Sequence, residues 1–531
     1  MSTPMWRAAA DTDAPSALRR WWASTAAPTL ESVGEPEAAR HPVALLARPA
    51  LLGLVATIAI TFGASQDSSV FAFKSPGAWF FGIPSMTTPP GRGLLLSLVA
   101  SYGGMFLLLR VWLETCSLLS RHPGIAVRAI AVMGSLWVIP LLVAPPLFSK
   151  DIYSYAAQGA MVTHGISPYH HGPSALGPGP YLNSVDPLWR NAPAPYGPLW
   201  LSLDGIVTSV TAHHVLATVV GLRLLALVGV VLAAASLPTL ARGTGRDAAT
   251  VFALGALNPV VLLHLIAGAH NDALMIGLLM AGLALAKRNR PVLGVIVCTL
   301  GAAVKAPAAL GVVYIGWHWL GDGTPWRERM RPLVSAGMLA IAVMAVLSAA
   351  SGLGWGWLGA LGTPGVVRSW TDPPTEIGLV VGTITHFLGL GLGVTGAITI
   401  MRALGLAVSL GASVALLLAS DRIGQLKAIG LSLLLVVVLG PVVQPWYLAW
   451  GILVLAPVAF GRWRTALVAT TMVGAFIGFP GGTLFLGQLG RSSLWSVALA
   501  VAVLVAIPAP PIIARVRQLI AYRRPLVIEL D

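Results

Sequence analysis

Charge is scarce in this chain. Only 10% of its 531 residues are Asp, Glu, Lys or Arg, against roughly a quarter in a soluble domain, which excludes an ordinary water-soluble protein. Acids are the scarcer sign, 19 against 33 Lys plus Arg, for a formal charge of +14. Cysteine is nearly missing: Cys116 and Cys298, expected in a cytoplasmic loop and a buried segment, are too far apart to support a disulfide framework. No metal-type Cys/His spacing occurs, and the adjacent His170 and His171 cannot easily share one ion. There is no P-loop, dinucleotide fingerprint or Gly-x-Ser-x-Gly elbow, so ATP-driven transport and serine-type hydrolysis lose support. Neither a metal nor another cofactor is expected.

Apolar sequence takes the place of charge. Hydrophobic residues make up 56% of the chain and recur in blocks of about 17 to 25, long enough to cross the bilayer as helices. The expected fold is an all-α polytopic membrane protein, with residues 1–48 a disordered cytoplasmic tail, 49–513 the transmembrane domain and 514–531 a cytoplasmic tail. Spans are read at 49–65, 94–109, 125–148, 215–240, 251–267, 273–286, 333–351, 397–420, 429–443, 446–460, 467–479 and 495–513. Within 291–320, two apolar stretches hinge at Lys305-Ala306-Pro307. Each reaches only about 20 Å against a core of about 30 Å, which reads as a broken or re-entrant pair. Residues 352–396 form an outer loop whose glycine-broken half is a partial insertion, giving about 12 to 15 transmembrane or re-entrant helices.

Placing both termini in the cytoplasm puts most of the 33 cations inside, including Arg242, Lys287, Arg290, Arg329, Arg422 and Arg464. The positive-inside rule fixes this orientation, and the charge excess needs no nucleic-acid partner. Residues 149–214 then form the largest outer segment, dense in Pro, Gly, Tyr and Trp, a composition for a rigid surface whose aromatic faces suit sugar rings.

Few acids face outward: Asp67, Asp151, Asp186, Asp204, Asp272, Asp372 and Glu376. Asp151 adjoins apolar Pro145-Pro146-Leu147-Phe148, where desolvation raises a carboxyl toward the range of a general base. Its alternative is a helix cap or a partner for Lys150. His270, Asn271 and Asp272 crowd one short connection between apolar segments, where polar groups are costly without partners. Asn and Asp there could instead start a helix. Arg223 and Lys305 fall inside apolar blocks and need partners, for which an anionic lipid head group is a natural choice, though Arg223 could snorkel to the interface. Pro441-Val442-Val443-Gln444-Pro445-Trp446-Tyr447 forms a further outer corner, its aromatics otherwise plain interfacial anchors.

These same segments carry a resemblance. The run Asp151 to Gly159, Ser167-Pro168-Tyr169, Asp186 to Arg190, Ala194 to Leu199, Asn258-Pro259, Gly268 to Ala273, Val304-Lys305-Ala306 and Gln444 to Leu448 occur in order over roughly residues 95 to 465. Together they resemble the actinobacterial polyprenol-phosphate-mannose-dependent α-1,6-mannosyltransferases of the GT-C fold, which build the mannan core of lipomannan and lipoarabinomannan. The likeness is greatest to the type that acts on the membrane-proximal part of that core. One departure is Ser167, where family members often carry Asn.

The resemblance implies an inverting transfer from a β-linked mannosyl phosphate on a polyprenol to a mannan or phosphatidylinositol-mannoside acceptor. It would occur on the extracytoplasmic side of the plasma membrane, with 149–214 as the first catalytic loop and Asp151 as the base. Lys305, Arg223 and His270 are the candidates for the donor phosphate, with Lys305 placed first. Tyr153, Tyr155, Tyr169, Asp186, Trp189, Arg190, Tyr196, Asn271, Asp272, Gln444, Trp446 and Tyr447 are the candidates for substrate contact. The rival readings are a transporter or lipid flippase, which would also use broken helices and intramembrane cations, and a transferase of another polyprenyl-phosphate sugar such as arabinose.

Overall fold

The computed structural model describes residues 42–66, 69, 92–366 and 372–476. The expected span at 495–513, both tails apart from residues 42–48, residues 67–68 and 70–91, the end of 467–479, the segment 480–494, and residues 367–371 of the outer loop 352–396 lie outside them. Every regular element among the described residues is helical, as a chain that must satisfy its backbone polar groups within lipid requires. In order, the main helices are α1 (Pro42–Ser65), α2 (Arg92–Arg121), α3 (Val127–Val143), α4 (Asp151–Thr163), α5 (Pro198–Val210), α6 (Val215–Ala241), α7 (Ala248–Gly255) and α8 (Asp272–Lys287). They continue with α9 (Pro291–Val304), α10 (Ala309–Trp317), α11 (Trp326–Ala350), α12 (Pro373–Phe387), α13 (Val394–Leu418), α14 (Gln425–Leu439), α15 (Leu448–Leu455) and α16 (Arg462–Phe476).

Five of these, α1, α2, α6, α11 and α13, are long and apolar enough to cross a membrane. A sixth span is available if the π-helical turn Val261–Ala267 and α8, bent by 114°, count as one. Shorter apolar helices, among them α3, α5, α9, α10 and α14, accompany them. The long helices α11 and α13 turn apolar side chains such as Ile341, Val346 and Leu410 outward, the arrangement for a surface in contact with lipid.

Small residues set the closest approaches. Gly229 of α6 lies against the backbone of Ala273, and Gly277 of α8 lies against Gly229 itself, so a side chain on either would run into main chain. Lipid gives apolar side chains no reason to hide from it, so such small-residue contacts and their dispersion energy hold membrane helices together. Cys116 sits buried inside α2, which runs through to Arg121 where a cytoplasmic loop was expected. The amphipathic end of a long helix accounts for the difference, because α2 continues past the apolar core and presents Arg110 to Glu114 at 3.2 Å.

The backbone breaks where the chemistry-bearing residues lie. Pro145-Pro146 follow the end of α3, and Phe148 then adopts φ 64°. Between the π-helical turn and α8, Ala269 adopts φ 54°. Left-handed backbone at a non-glycine residue is costly and persists only when surrounding packing imposes it. The two strained segments are tied together by the Leu147 N–H donating to the Ala267 carbonyl at 3.3 Å. Lys305 stands at the third break in extended conformation, between α9 and a single turn at Ala306–Ala308. Pro307 in that turn has no N–H to continue the helix.

Candidate active site

Three breaks meet around Asp151. Its carboxylate stands at the first turn of α4, outside the apolar helices, with the side chain 17% exposed. Neither Lys150 nor Asp151 caps that helix through its side chain. The Asp151 N–H donates instead to the Ser149 hydroxyl at 3.0 Å. Burial pushes the Asp151 carboxyl up to about 6, against an opposing pull from Lys305 and Ser149 and a further push from the charges of Asp272 and Asp186. A carboxylate so tuned is ionised near neutral pH yet basic enough to accept a proton.

Beside it, His270 Nδ1 lies 3.7 Å from Asp151 Oδ2. The imidazole is fully buried and stacks on Trp446 with ring centres 3.7 Å apart. Asp272 is buried too, and instead of capping α8 it accepts from Lys305 Nζ at 2.8 and 3.0 Å and from Trp450 Nε1 at 2.8 Å. The ammonium of Lys305 lies 4.3 Å from the Tyr447 ring, 5.4 Å from that of Trp450 and 5.9 Å from that of Tyr196. Its side chain keeps 13% exposure where Asp272 keeps none, so the ion pair presents its positive end to the open side.

Tyr196 reaches this cluster because the Gly197 N–H donates to the Val304 carbonyl at 3.1 Å, stitching the outer loop to the break at Lys305. Only glycine fits there, since a Cβ would meet the Ala303 carbonyl. Tyr155 packs edge-on against both Tyr196 and Trp200, each at 5.3 Å. Asp151, Tyr155, Tyr196, His270, Asp272, Lys305, Trp446 and Tyr447 are thus brought together. Asn271 is fully buried in the same connection. Gln444 opens the turn that carries Trp446 and Tyr447, its carbonyl accepting from the Tyr447 N–H.

Other candidates are held in contacts of their own. The guanidinium of Arg223 donates to the carbonyls of Leu142, Ala144 and Ala267 at 2.8, 2.5 and 3.0 Å. It braces the ends of two broken segments, backbone carbonyls supplying the partners its place in an apolar block requires, and Tyr153 is its electrostatic neighbour. Asp186 accepts from the Leu188 N–H at 3.0 Å, and Arg190 Nε donates to the Val185 carbonyl, so with Trp189 they form a local turn of the outer loop. Tyr169 is buried against Gly356 of the outer loop 352–396.

Trp450 escaped the reading of the sequence. Its signal was the spacing Trp446-x-x-x-Trp450, which puts two indoles on one helical face beside the Gln444 corner. Asn258 was noted only as a motif residue. Its amide donates to the Thr471 hydroxyl at 2.8 Å and its oxygen accepts from the Val260 N–H, which anchors the π-helical turn to α16. Far from the site, His318, Asp322 and Asp421 bring potential ligand atoms within 4.8 Å of one another. Arg329 already neutralises Asp421 at 2.6 Å, so that group is an ion-pair network joining α11 to the short helix Ser420–Ile423.

Residues 50–321 match the alpha-(1->6)-mannopyranosyltransferase N-terminal domain, and residues 374–508 match the MptB C-terminal domain. An alpha-(1->6)-mannopyranosyltransferase of Mycobacterium tuberculosis is 33% identical, with 84% of each chain covered. A probable alpha-(1->6)-mannopyranosyltransferase of Mycolicibacterium smegmatis is 35% identical over 81% of this chain and 82% of its own. Alpha-(1->6)-mannopyranosyltransferase B of Corynebacterium glutamicum is 30% identical over 85% of this chain and 81% of its own. No solved structure matches the chain.

Proposed function

Because the chain belongs to the alpha-(1->6)-mannopyranosyltransferase family, we propose that it transfers mannose, with inversion, from a polyprenyl-phosphate donor to a growing α-1,6-mannan chain of lipomannan or lipoarabinomannan. The reaction takes place at the extracytoplasmic face of the plasma membrane, within a GT-C architecture of about 12 to 15 transmembrane or re-entrant helices. The observation that carries this reading is the meeting of Asp151, raised to about 6, with the Lys305–Asp272 ion pair across three helix breaks.

Each residue has a distinct task. Asp151 takes the proton from the acceptor's primary hydroxyl as that oxygen attacks the anomeric carbon. The bond to the donor phosphate breaks on the opposite face, which turns a β-linked donor into an α-linked product. Lys305, held by Asp272 with its positive end outward, stabilises the charge that grows on the departing polyprenyl phosphate. His270, stacked on Trp446, holds its Nδ1 3.7 Å from the Asp151 carboxylate, beyond hydrogen-bond distance, and lines the site beside the base. Tyr196 and Tyr447, both part-exposed, supply the aromatic faces on which the sugars dock, with buried Tyr155 packed behind Tyr196. The donor is a phosphodiester whose leaving group is a single phosphate monoester, a charge that Lys305 can meet, so the reading needs no metal.

The test is a membrane assay with radiolabelled polyprenyl phosphomannose and a short α-1,6-mannoside, followed by linkage analysis. The expected product is the mannoside lengthened by an α-1,6 bond. Asp151→Asn should lower the rate at least about 100-fold, the scale of a lost general base, while leaving the amount of folded protein unchanged. Retained transfer would remove Asp151 from the base role, and a carrier of lipid or sugar would form no new glycosidic bond.

A further inference from the structure

At 1.5 Å per residue, Lys427 lies about 20 Å along α14 from Gly440, where the chain turns toward the Gln444 corner of the site. A groove of about 60 Å³ runs between α14, α15 and α16 at this remote end, several times the roughly 10–15 Å³ that one water needs. Its floor is interlocked. Leu455 lies over Gly430 and Leu434 over Gly451, where a side chain on either glycine would collide with the leucine. Trp463, Ala466 and Leu467 of α16 form the other wall. Leu431, Leu434, Leu455 and Ala466 all keep some exposure, so the groove opens outward, toward lipid. Lys427 is the one charged residue in its lining.

Positive charge gathers at the mouth. The ammonium of Lys427 and the guanidinium of Arg462 lie 4.4 and 5.7 Å from the centre of the same Trp463 indole. Arg246 joins them from the α6–α7 connection, 4.0 Å over the Phe460 ring and donating to the Ala459 carbonyl at 2.7 Å. Among the described residues no carboxylate pairs with Lys427 or Arg462. Cations that converge without an acid repel one another, and an anion between them removes that cost. Aromatic residues such as Phe460 and Trp463 sit at the level of lipid head groups, and the apolar groove begins beside them.

We propose that the groove binds an anionic glycerophospholipid, with its phosphate between Lys427 and Arg462 and part of one acyl chain along Leu431, Leu434 and Leu455. In the charge-based orientation the lipid belongs to the cytoplasmic leaflet, and it differs in place and in kind from the substrates of the transfer proposed above. Its effect reaches the site through α15. The far end of that helix floors the groove, while its near end sets the Trp450 indole against Asp272. A bound lipid therefore stabilises the helix that supports the ion pair.

The experiment titrates the purified full-length protein in detergent with phosphatidylglycerol, phosphatidylcholine and glycerol 3-phosphate. Native mass spectrometry reads binding, and a heating series reads the temperature of aggregation. Phosphatidylglycerol should bind and raise that temperature, as a ligand of the folded state does, whereas the choline lipid and the phosphate without a tail should leave it unchanged. The double variant Lys427→Gln, Arg462→Gln should weaken phosphatidylglycerol binding by about tenfold or more, the scale of two cations lost beside a lipid head group. Without lipid it should aggregate near the wild-type temperature, because both side chains reach the surface. Equal binding of the two lipids, a response to glycerol 3-phosphate alone, or undiminished binding by the double variant overturns the proposal. Should the double variant misfold, the wild-type protein still decides. Phosphatidylglycerol with a photoreactive diazirine midway along one chain should label residues 427–434, 452–458 and 463–470. Labelling confined to other parts of the chain, residues 477–531 included, overturns the proposal.

Discussion

Asp151 combines two properties that usually exclude one another: it is desolvated enough to be a good base, yet it is in reach of a cation that keeps it ionised at neutral pH. Burial is the larger influence and Lys305 the counterweight, which together leave the carboxyl at about 6 where 3.8 is ordinary. In the proposed transfer, only the ionised form can accept the acceptor's proton. Transfer should therefore rise with pH through about 6 and level off above it, falling about tenfold per unit on the acid side. The measurement is kcat/KM against pH in detergent-solubilised protein. A profile flat between pH 5 and 8 would show that another group limits the reaction. Lys305 could not play its part alone, because an unpaired buried ammonium is costly. Asp272 resolves that cost, and the Trp450 indole fixes the carboxylate that fixes the lysine.

Elements supply what single residues cannot, and here the sequence was legible in some places and mute in others. Long runs with few charges announce helices, and Pro307 accounts in chemical terms for the break that carries Lys305. Asp151 and Asp272 drew notice because acids are so few. By contrast, nothing local distinguishes Arg223 as a brace for carbonyls near residues 142, 144 and 267, since its partners lie 44 to 81 positions away. The role of Trp450 likewise depends on Asp272 arriving from 178 residues upstream. The contact of α6 with α8 belongs to the same class, visible only once Gly229 and Gly277 face each other. Gly229→Leu would drive a side chain into the Ala273 main chain, directly beneath the start of α8 that carries Asp272. Overpacking of this kind costs about 1–3 kcal/mol. The variant should aggregate at a lower temperature in detergent than wild type, whereas Gly337→Leu, with open space around it, should not. Equal behaviour of the two would mean that α6 and α8 do not approach so closely.

At the scale of the whole molecule, the scarcity of charge becomes a statement about sides. Basic loops such as Lys287–Arg290 and the cluster around Arg329 lie at helix ends away from the Asp151 cluster in the charge-based orientation, while the loop from 149 to 214 carries the aromatic residues and few cations. On the proposed reading, the positive-inside rule puts the Asp151 carboxylate outside the cytoplasm, where nucleotide sugars are absent and a lipid-linked sugar would be the donor. Both natural cysteines are buried, so single cysteines placed on the surface can be followed without removing them. In intact cells, a thiol reagent that does not cross membranes should label Asn183→Cys, in the exposed part of the outer loop, and should leave Arg290→Cys unlabelled until the cells are permeabilised. The reverse pattern would put Asp151 in the cytoplasm and make a soluble nucleotide sugar the donor to consider. Labelling of both in intact cells would mean that the two loops share the outer face, which would contradict the three crossings expected between them at 215–240, 251–267 and 273–286.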